Sequence, residues 1–200
     1  MVNSDEKLRA VLLFGPPGSG KGTLGRALGL AGSHVHLSSG DIFRGLDPES
    51  PAGKTYQTYA GQGHLVPDEV TIQIWHHYVG GLIAANRYFP HHQLLLLDGI
   101  PRTQKQAEIL DAYIQVEQVI VLDMPNSEAL HQRMLRRGTI EKRSDDSDLS
   151  ILKTRMQVYE TETLKALSHY PTSLISHFNA DQRPIEVLRD VLVKLTSILK

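Results

Sequence analysis

Cysteine is absent from all 200 residues. Its absence excludes disulfides, thiol catalysis and thiolate zinc, and it suits a reducing compartment. Charge of one sign is missing as well, since 21 Lys and Arg stand against 22 Asp and Glu for a formal net charge of −1. No global field draws such a chain to nucleic acid or to an acidic membrane surface, so any positive site has to be local. Long hydrophobic runs are lacking too. Asp5 and Glu6 precede the short apolar run from Val11 to Phe14, far below a secretory core or a span of about 18 residues. Repeats and low-complexity tracts do not occur. These absences predict a soluble, cytoplasmic protein without nucleic acid or membrane as partner. What is present suits one domain: the chain is 40% hydrophobic, and its length fits a single core with a small excursion at about 150 residues per domain.

Ala10-Val11-Leu12-Leu13-Phe14 is a continuous apolar run closing on a Gly/Pro cluster, the pattern of a strand buried on both faces. Comparable runs stand at 35–37, 94–97, 119–122 and 174–175, and helix-length segments lie at 20–30, 68–88, 103–116, 127–137, 147–168 and 184–199. In the last, Leu188, Val191, Leu192, Leu195, Ile198 and Leu199 share a helix face, and Pro184 suits its first turn. Strands alternating with helices predict an α/β fold, a doubly wound parallel sheet of about five strands with helices on both faces. Residues 41–63 interrupt the alternation with Gly, Pro and polar residues. A connection of that length rarely lacks structure, so a small helical lobe is predicted.

The first strand runs directly into Gly15-Pro16-Pro17-Gly18-Ser19-Gly20-Lys21-Gly22-Thr23, and a helix follows. That order is the physics of a P-loop: glycines let backbone N–H groups face an anion, the helix N-terminus adds its dipole, and the lysine reaches the outer phosphates. After Lys21 the general pattern wants Ser or Thr, whereas here Gly22 comes first and Thr23 second. With Leu37-Ser38-Ser39-Gly40-Asp41-Ile42-Phe43-Arg44, Gly61-Gln62-Gly63-His64-Leu65-Val66-Pro67-Asp68, and Leu97-Asp98-Gly99-Ile100-Pro101-Arg102-Thr103 followed by Gln106, this loop makes four blocks in order. Together they resemble the adenylate kinase family of nucleoside-monophosphate kinases, over nearly the whole chain.

The resemblance implies a single domain over 1–200, with a core (1–37, 68–132, 147–200), a monophosphate-binding lobe (38–67) and a short lid (133–146). It implies transfer of the terminal phosphate of ATP to AMP by a monomer. A UMP/CMP kinase and a nucleotide-sensing protein without turnover are the alternatives. Two nucleotides bring roughly six negative charges, with Mg²⁺ offsetting two, so several fixed cations are needed. By resemblance, Gly15 to Thr23 bind ATP, with Arg133 over the donor base and Arg137 on its phosphates. Arg44 and Arg102 hold the acceptor phosphate, and Arg143 and Arg155 bridge the two. Lys21, Arg102, Arg137, Arg143 and Arg155 form the catalytic set. Ser39, Leu65, Val66, Gly99 and Gln106 complete the AMP site, where Gln106 offers an acceptor and two donors to adenine. The other roles open to Ser39 and Gln106 are a helix cap and a solvated face. Asp98 and Thr23 are the magnesium residues, acting mainly through water.

Three departures from the family pattern stand out. Ile100 replaces an aromatic residue and predicts a looser acceptor wall. The interval from Asp146 to Arg155 is one residue longer than usual, which predicts a helix bulge or shifted register there and leaves Thr154 or Lys153 as alternatives to Arg155. Only residues 138–142 separate Arg137 from Arg143, where long-lidded members insert a small domain, so no zinc is expected. The histidines, among them His76-His77, His91-His92 and the pair His34 and His36 on one strand face, are assigned surface or packing roles.

Overall fold

The computed structural model describes residues 6–60, 62–141 and 149–198. The described elements run β1 (Leu8–Phe14), α1 (Lys21–Gly32), β2 (Val35–Ser38), α2 (Ser39–Arg44), α3 (Pro51–Ala60), α4 (Asp68–Ala84), β3 (Leu95–Asp98), α5 (Gln104–Leu110), β4 (Ile114–Asp123) and α6 (Ser127–Glu141). After these come α7 (Leu149–Val158), a π-helical turn (Tyr159–Thr163), the three-residue α8 (Leu164–Ala166), two 3-10 turns, β5 (Ile175–Asn179) and α9 (Pro184–Leu195). The strands form one parallel sheet in the order β2-β3-β1-β4-β5.

Successive side chains of a strand point to opposite faces, and here both faces are apolar. Ala10, Leu12, Phe14, Leu95 and Leu97 join Trp75, Val79 and Leu110 from α4 and α5 in one core layer. Val11, Leu13 and Leu96 join Leu24, Leu28, Val191 and Leu195 from α1 and α9 in the other. Each fully buried Leu or Val contributes about 1.5–3 kcal/mol of transfer free energy, so the sheet is held from both sides. This is the doubly wound α/β arrangement that the alternation predicts. Because the connection leaving β1 leads to β2 on one side of it while the connection leaving β3 leads to β4 on the other, a crevice opens at the carboxyl ends of β1 and β3. Among the described residues no helix is long and apolar enough to cross a membrane.

Several boundaries differ from the sequence expectation, each for a local reason. The helix expected over 103–116 ends at Leu110, and Ile114 already belongs to β4. Ile114 and Val116 alternate with polar Gln115 and Glu117, which is strand periodicity, and Ile114, Gln115 and Val116 pair with Leu8, Arg9 and Ala10 ahead of a register shift that sets Gln118 opposite Val11. The helix expected over 68–88 stops at Ala84, where Asn86 adopts φ 54° and Arg87 N–H closes on Leu82 O at 2.8 Å. The last strand starts at Ile175 and runs to Asn179, because Leu174 lies in a 3-10 turn. The interrupting segment does carry structure, namely α2 and α3, clasped by Phe43 stacked on Tyr56 at 5.3 Å between ring centroids.

Candidate active site

From Phe14 the chain turns through 15–20 into α1. Gly15 shows why this loop needs glycine: its φ is +147°, and a Cβ there would lie 2.7 Å from Ser19 Oγ and 2.9 Å from the Leu122 carbonyl oxygen. Ser19 N–H donates to Pro16 O at 3.1 Å, and Leu24 N–H to Gly20 O at 2.9 Å begins the helix. The earlier N–H groups of the first turn have no intrahelical acceptor, so together with the helix dipole they form a seat for an anion. Ser19 Oγ is buried here without a hydrogen-bond partner.

Lys21 Nζ donates to Gly15 O at 2.6 Å and Pro16 O at 3.0 Å. Burial lowers its pKa to about 8, with Asp98 opposing the shift and Arg102, Arg137 and Arg155 adding to it. Asp98 is the last residue of β3 and is 9% exposed. Burial pushes its carboxyl up, but His36, Lys21 and Arg102 outweigh that and hold it below the ordinary aspartate range. His36 Nε2 stands 3.8 Å from Asp98 Oδ2, an ion-pair distance rather than a hydrogen bond. Gly25 makes the room for it, since a Cβ at that position would come within 2.2 Å of His36 Cδ2. His36 therefore adjoins a predicted site residue, a role the sequence reading did not give it. His34 precedes β2, and its Nδ1 accepts the Leu94 N–H at 3.3 Å.

A cleft of about 480 Å³ opens over the loop. Gly15, Pro17, Gly18, Ser19, Gly20, Lys21, Gly22, Thr23, Asp98, Arg133 and Arg137 line it, together with Arg44, Leu65, Gly99, Arg102 and Arg155. Pro16 contributes through its carbonyl to Lys21. Among the described residues, eight Lys and Arg side chains reach the cleft against two carboxylates, Asp41 and Asp98. A chain with net charge −1 thus concentrates its cations in one place. Two of the eight, Arg26 and Arg136, lie outside the sequence-predicted set. Helical spacing could have found them, for Arg26 follows Gly22 by four residues and Arg136 follows Arg133 by three. Arg133 is fixed by Nη1 donating to Ala180 O at 2.9 Å and Nη2 to Gln182 O at 3.3 Å, beside Pro184 and Val187 in the same cleft.

A second, smaller cavity is lined by Ser39, Val66 and Gln106, and it shares Arg44, Leu65, Gly99, Arg102 and Arg155 with the first. Three guanidinium groups therefore stand at the junction. Arg102 Nε donates to Gly99 O at 2.8 Å and Nη2 to Ser39 Oγ at 3.4 Å. Burial and then the Arg155 charge lower its pKa, Asp98 and Tyr56 oppose them, and Arg44 adds to the lowering. Arg44 Nη2 donates to Asp41 Oδ1. Ser39 Oγ donates to Gly99 O at 2.7 Å, while the cap of α2 is Ser38, whose Oγ accepts the Asp41 N–H. Gln106 is 1% exposed, so it lies on no solvated face.

One expectation changes with this geometry. Ile100 does not wall the acceptor cavity; it is 2% exposed and packs into the core layer of Leu97 and Trp75. Of the interval from Asp146 to Arg155, residues 146–148 lie outside the described residues; α7 runs without a break from Leu149 through Arg155, and a π-helical turn follows at Tyr159–Thr163. Arg155 lines both cavities, whereas Lys153 is exposed and Thr154 Oγ1 donates to Ser150 O at 3.1 Å. Arg143, with the rest of 142–148, lies outside the described residues.

A sequence model of the family described as adenylate kinase matches residues 13–175. The chain is similar to the adenylate kinase of Flavobacterium psychrophilum, 37% identical over 173 residues that span 84% of this chain and 87% of the relative. It is also similar to the adenylate kinases of a Synechococcus species (32% identity; 92% and 94% covered) and of Corynebacterium urealyticum (37%; 83% and 88%).

Proposed function

Because this chain belongs to the adenylate kinase family, we infer that the two joined cavities hold donor and acceptor nucleotide with their phosphates meeting at Arg44, Arg102 and Arg155. The enzyme is an ATP:AMP phosphotransferase, converting ATP and AMP reversibly into two ADP. The single observation that carries the residue assignment is the sharing of those three guanidinium groups by both cavities. No covalent nucleophile is required. An AMP phosphate oxygen, already anionic, attacks the terminal phosphorus of ATP in line, and the bond to the bridging oxygen breaks to release ADP. Catalysis is then positioning and charge stabilisation.

In this reading the 15–20 loop and the first turn of α1 cradle the ATP phosphates, with Ser19 Oγ supplied at last with a partner. Lys21 leaves the loop carbonyls for the migrating phosphoryl group. Arg133, braced on Ala180 and Gln182, covers the donor base, and Arg137 reaches its phosphates. Guanidinium groups suit the bridging work because they keep their protons as phosphate charge moves. Asp98 and Thr23 fit a magnesium ion carried by ATP: an ionised carboxylate and a hydroxyl facing the same cleft as Lys21 are hard donors, few enough to leave places for phosphate and water. Bound there, the ion neutralises and aligns the outer phosphates. Ser39 and Gln106 meet the acceptor base, with Leu65 and Val66 as apolar walls. The division into core, lobe (38–67) and short lid (133–146) belongs to the same reading.

The test is a bisubstrate mimic, two adenosines joined by five phosphates. It is expected to bind far more tightly than ATP or AMP and to slow hydrogen exchange in α2 and α3 as well as at the 15–20 loop. Binding no tighter than ATP, or protection confined to the loop, would contradict a shared junction.

A further inference from the structure

Gln106 is held from both ends. Its Oε1 accepts the Arg102 backbone N–H at 2.8 Å, and its Nε2 donates to Asp68 Oδ1 at 2.9 Å. The same Asp68 oxygen accepts the Thr103 hydroxyl at 2.9 Å, and Thr103 Oγ1 in turn accepts the Gln106 backbone N–H at 3.0 Å as the cap of α5. Asp68 opens α4, so this small network ties the start of α4 to the start of α5 beside the acceptor cavity.

The chemistry of the two partners gives the network a direction. A backbone N–H only donates, and a carboxylate only accepts. Turning the Gln106 amide over would set Nε2 against the Arg102 N–H and Oε1 against the Asp68 carboxylate, two pairings of like sign. A primary amide has two N–H groups and two acceptor positions. With one of each engaged, one donor and one acceptor remain, in fixed order along the amide edge.

We propose that Asp68 is a specificity-determining positioning residue: it fixes the sense of the Gln106 amide and so selects the base edge that the acceptor site accepts. This rests on the assignment of Gln106 to the acceptor base made above. Adenine presents an amino donor next to a ring-nitrogen acceptor, and the fixed amide matches that order. A 6-oxopurine presents a carbonyl acceptor next to a ring N–H, the reverse order. Hypoxanthine and adenine are nearly the same size, so IMP differs from AMP at this edge alone and separates amide sense from pocket shape. Without Asp68 only the Arg102 N–H opposes the turned amide, and the reversed order gains a partner.

Initial rates with ATP and either AMP or IMP are compared for the whole chain and for Asp68→Leu, Asp68→Asn and Gln106→Ala. Wild type is expected to favour AMP. Asp68→Leu is expected to lower the AMP-to-IMP ratio of kcat/KM about tenfold, the worth of one hydrogen bond to a charged group. The change falls on the KM values for the two monophosphates in opposite directions and spares the KM for ATP. Asp68→Asn keeps an acceptor oxygen for Thr103 and Gln106 but can also donate when its amide turns, so its ratio is expected to fall between wild type and Asp68→Leu. A merely structural role would lower both rates together and leave the ratio where it was. Should Asp68→Leu fail to fold, Asp68→Ala is read by the same ratio. An unchanged ratio in the folded Asp68 variant, with a collapsed ratio in Gln106→Ala, overturns the proposal and leaves the base assignment standing. Wild type using IMP as well as AMP, or Gln106→Ala keeping the ratio, overturns the base assignment and the proposal with it.

Discussion

Lys21 sits where burial and three arginines disfavour its proton, with a pKa brought down to about 8 from 10.5. The quantity that reports an essential group of the free enzyme is kcat/KM, here for ATP with AMP held well below saturation. With a pKa of about 8, only about one-tenth of the molecules carry the Lys21 charge at pH 9, so kcat/KM is expected to fall about tenfold from its plateau by that pH. Two variants separate this from other causes. In Lys21→Arg the guanidinium keeps its proton, and the alkaline limb should vanish from the residual activity. In Arg155→Met a cation that pushes the Lys21 proton off is gone, and the limb should move to higher pH. Unfolding is not the competing explanation. Between the folded pKa of about 8 and the ordinary value of 10.5 the unfolded chain binds more protons at this site, so the Lys21 contribution to stability rises with pH across that window. Stopped-flow or coupled assays from pH 6.5 to 9.5 suffice. A flat profile to pH 9.5, or a limb that persists in Lys21→Arg, would refute the assignment of this charge to the transfer step.

Two further outcomes follow from the packing and the register. Gly25→Ala forces His36 away from Asp98, because the added carbon would lie 2.2 Å from the imidazole. It should cost about 1–3 kcal/mol in urea or thermal melts, and His36→Ala in the same chain should recover most of that; no recovery would show that the strain lies elsewhere. Arg155→Ala should lower kcat by on the order of 10²–10³ with ATP binding nearly kept, while Lys153→Ala, on an exposed position, should leave both unchanged; the reverse result would move the bridging role to Lys153.

The sheet was legible because β1 from Ala10 onward and β3 up to Asp98 are apolar on both faces, as fully buried parallel strands must be. β5 was read short for the opposite reason: its buried face carries Ser176, paired with buried Gln118 at 2.9 Å, and no hydropathy pattern announces a polar side chain whose partner lies on another strand. The phosphate loop was legible from local order alone, since glycine, lysine and helix start are contiguous. Residues that reach the site by a long route were not. His36 meets Asp98 only because β2 and β3 are neighbours in register, with Ser38 opposite Asp98. Asp68 meets Gln106 across 38 positions through the packing of α4 on α5. Arg26 and Arg136 lie outside the four matched blocks, and only helical spacing marks them in the sequence.

The most direct test of the account is ADP formation from ATP paired in turn with AMP, CMP and UMP. A Gln106 amide and a Ser39 hydroxyl placed against adenine should leave a pyrimidine with unmatched groups, at about 1–3 kcal/mol each. The account predicts at least a roughly tenfold preference for AMP in kcat/KM, eroded by Gln106→Ala more than ATP binding is weakened. CMP or UMP phosphorylated as well as AMP would contradict it.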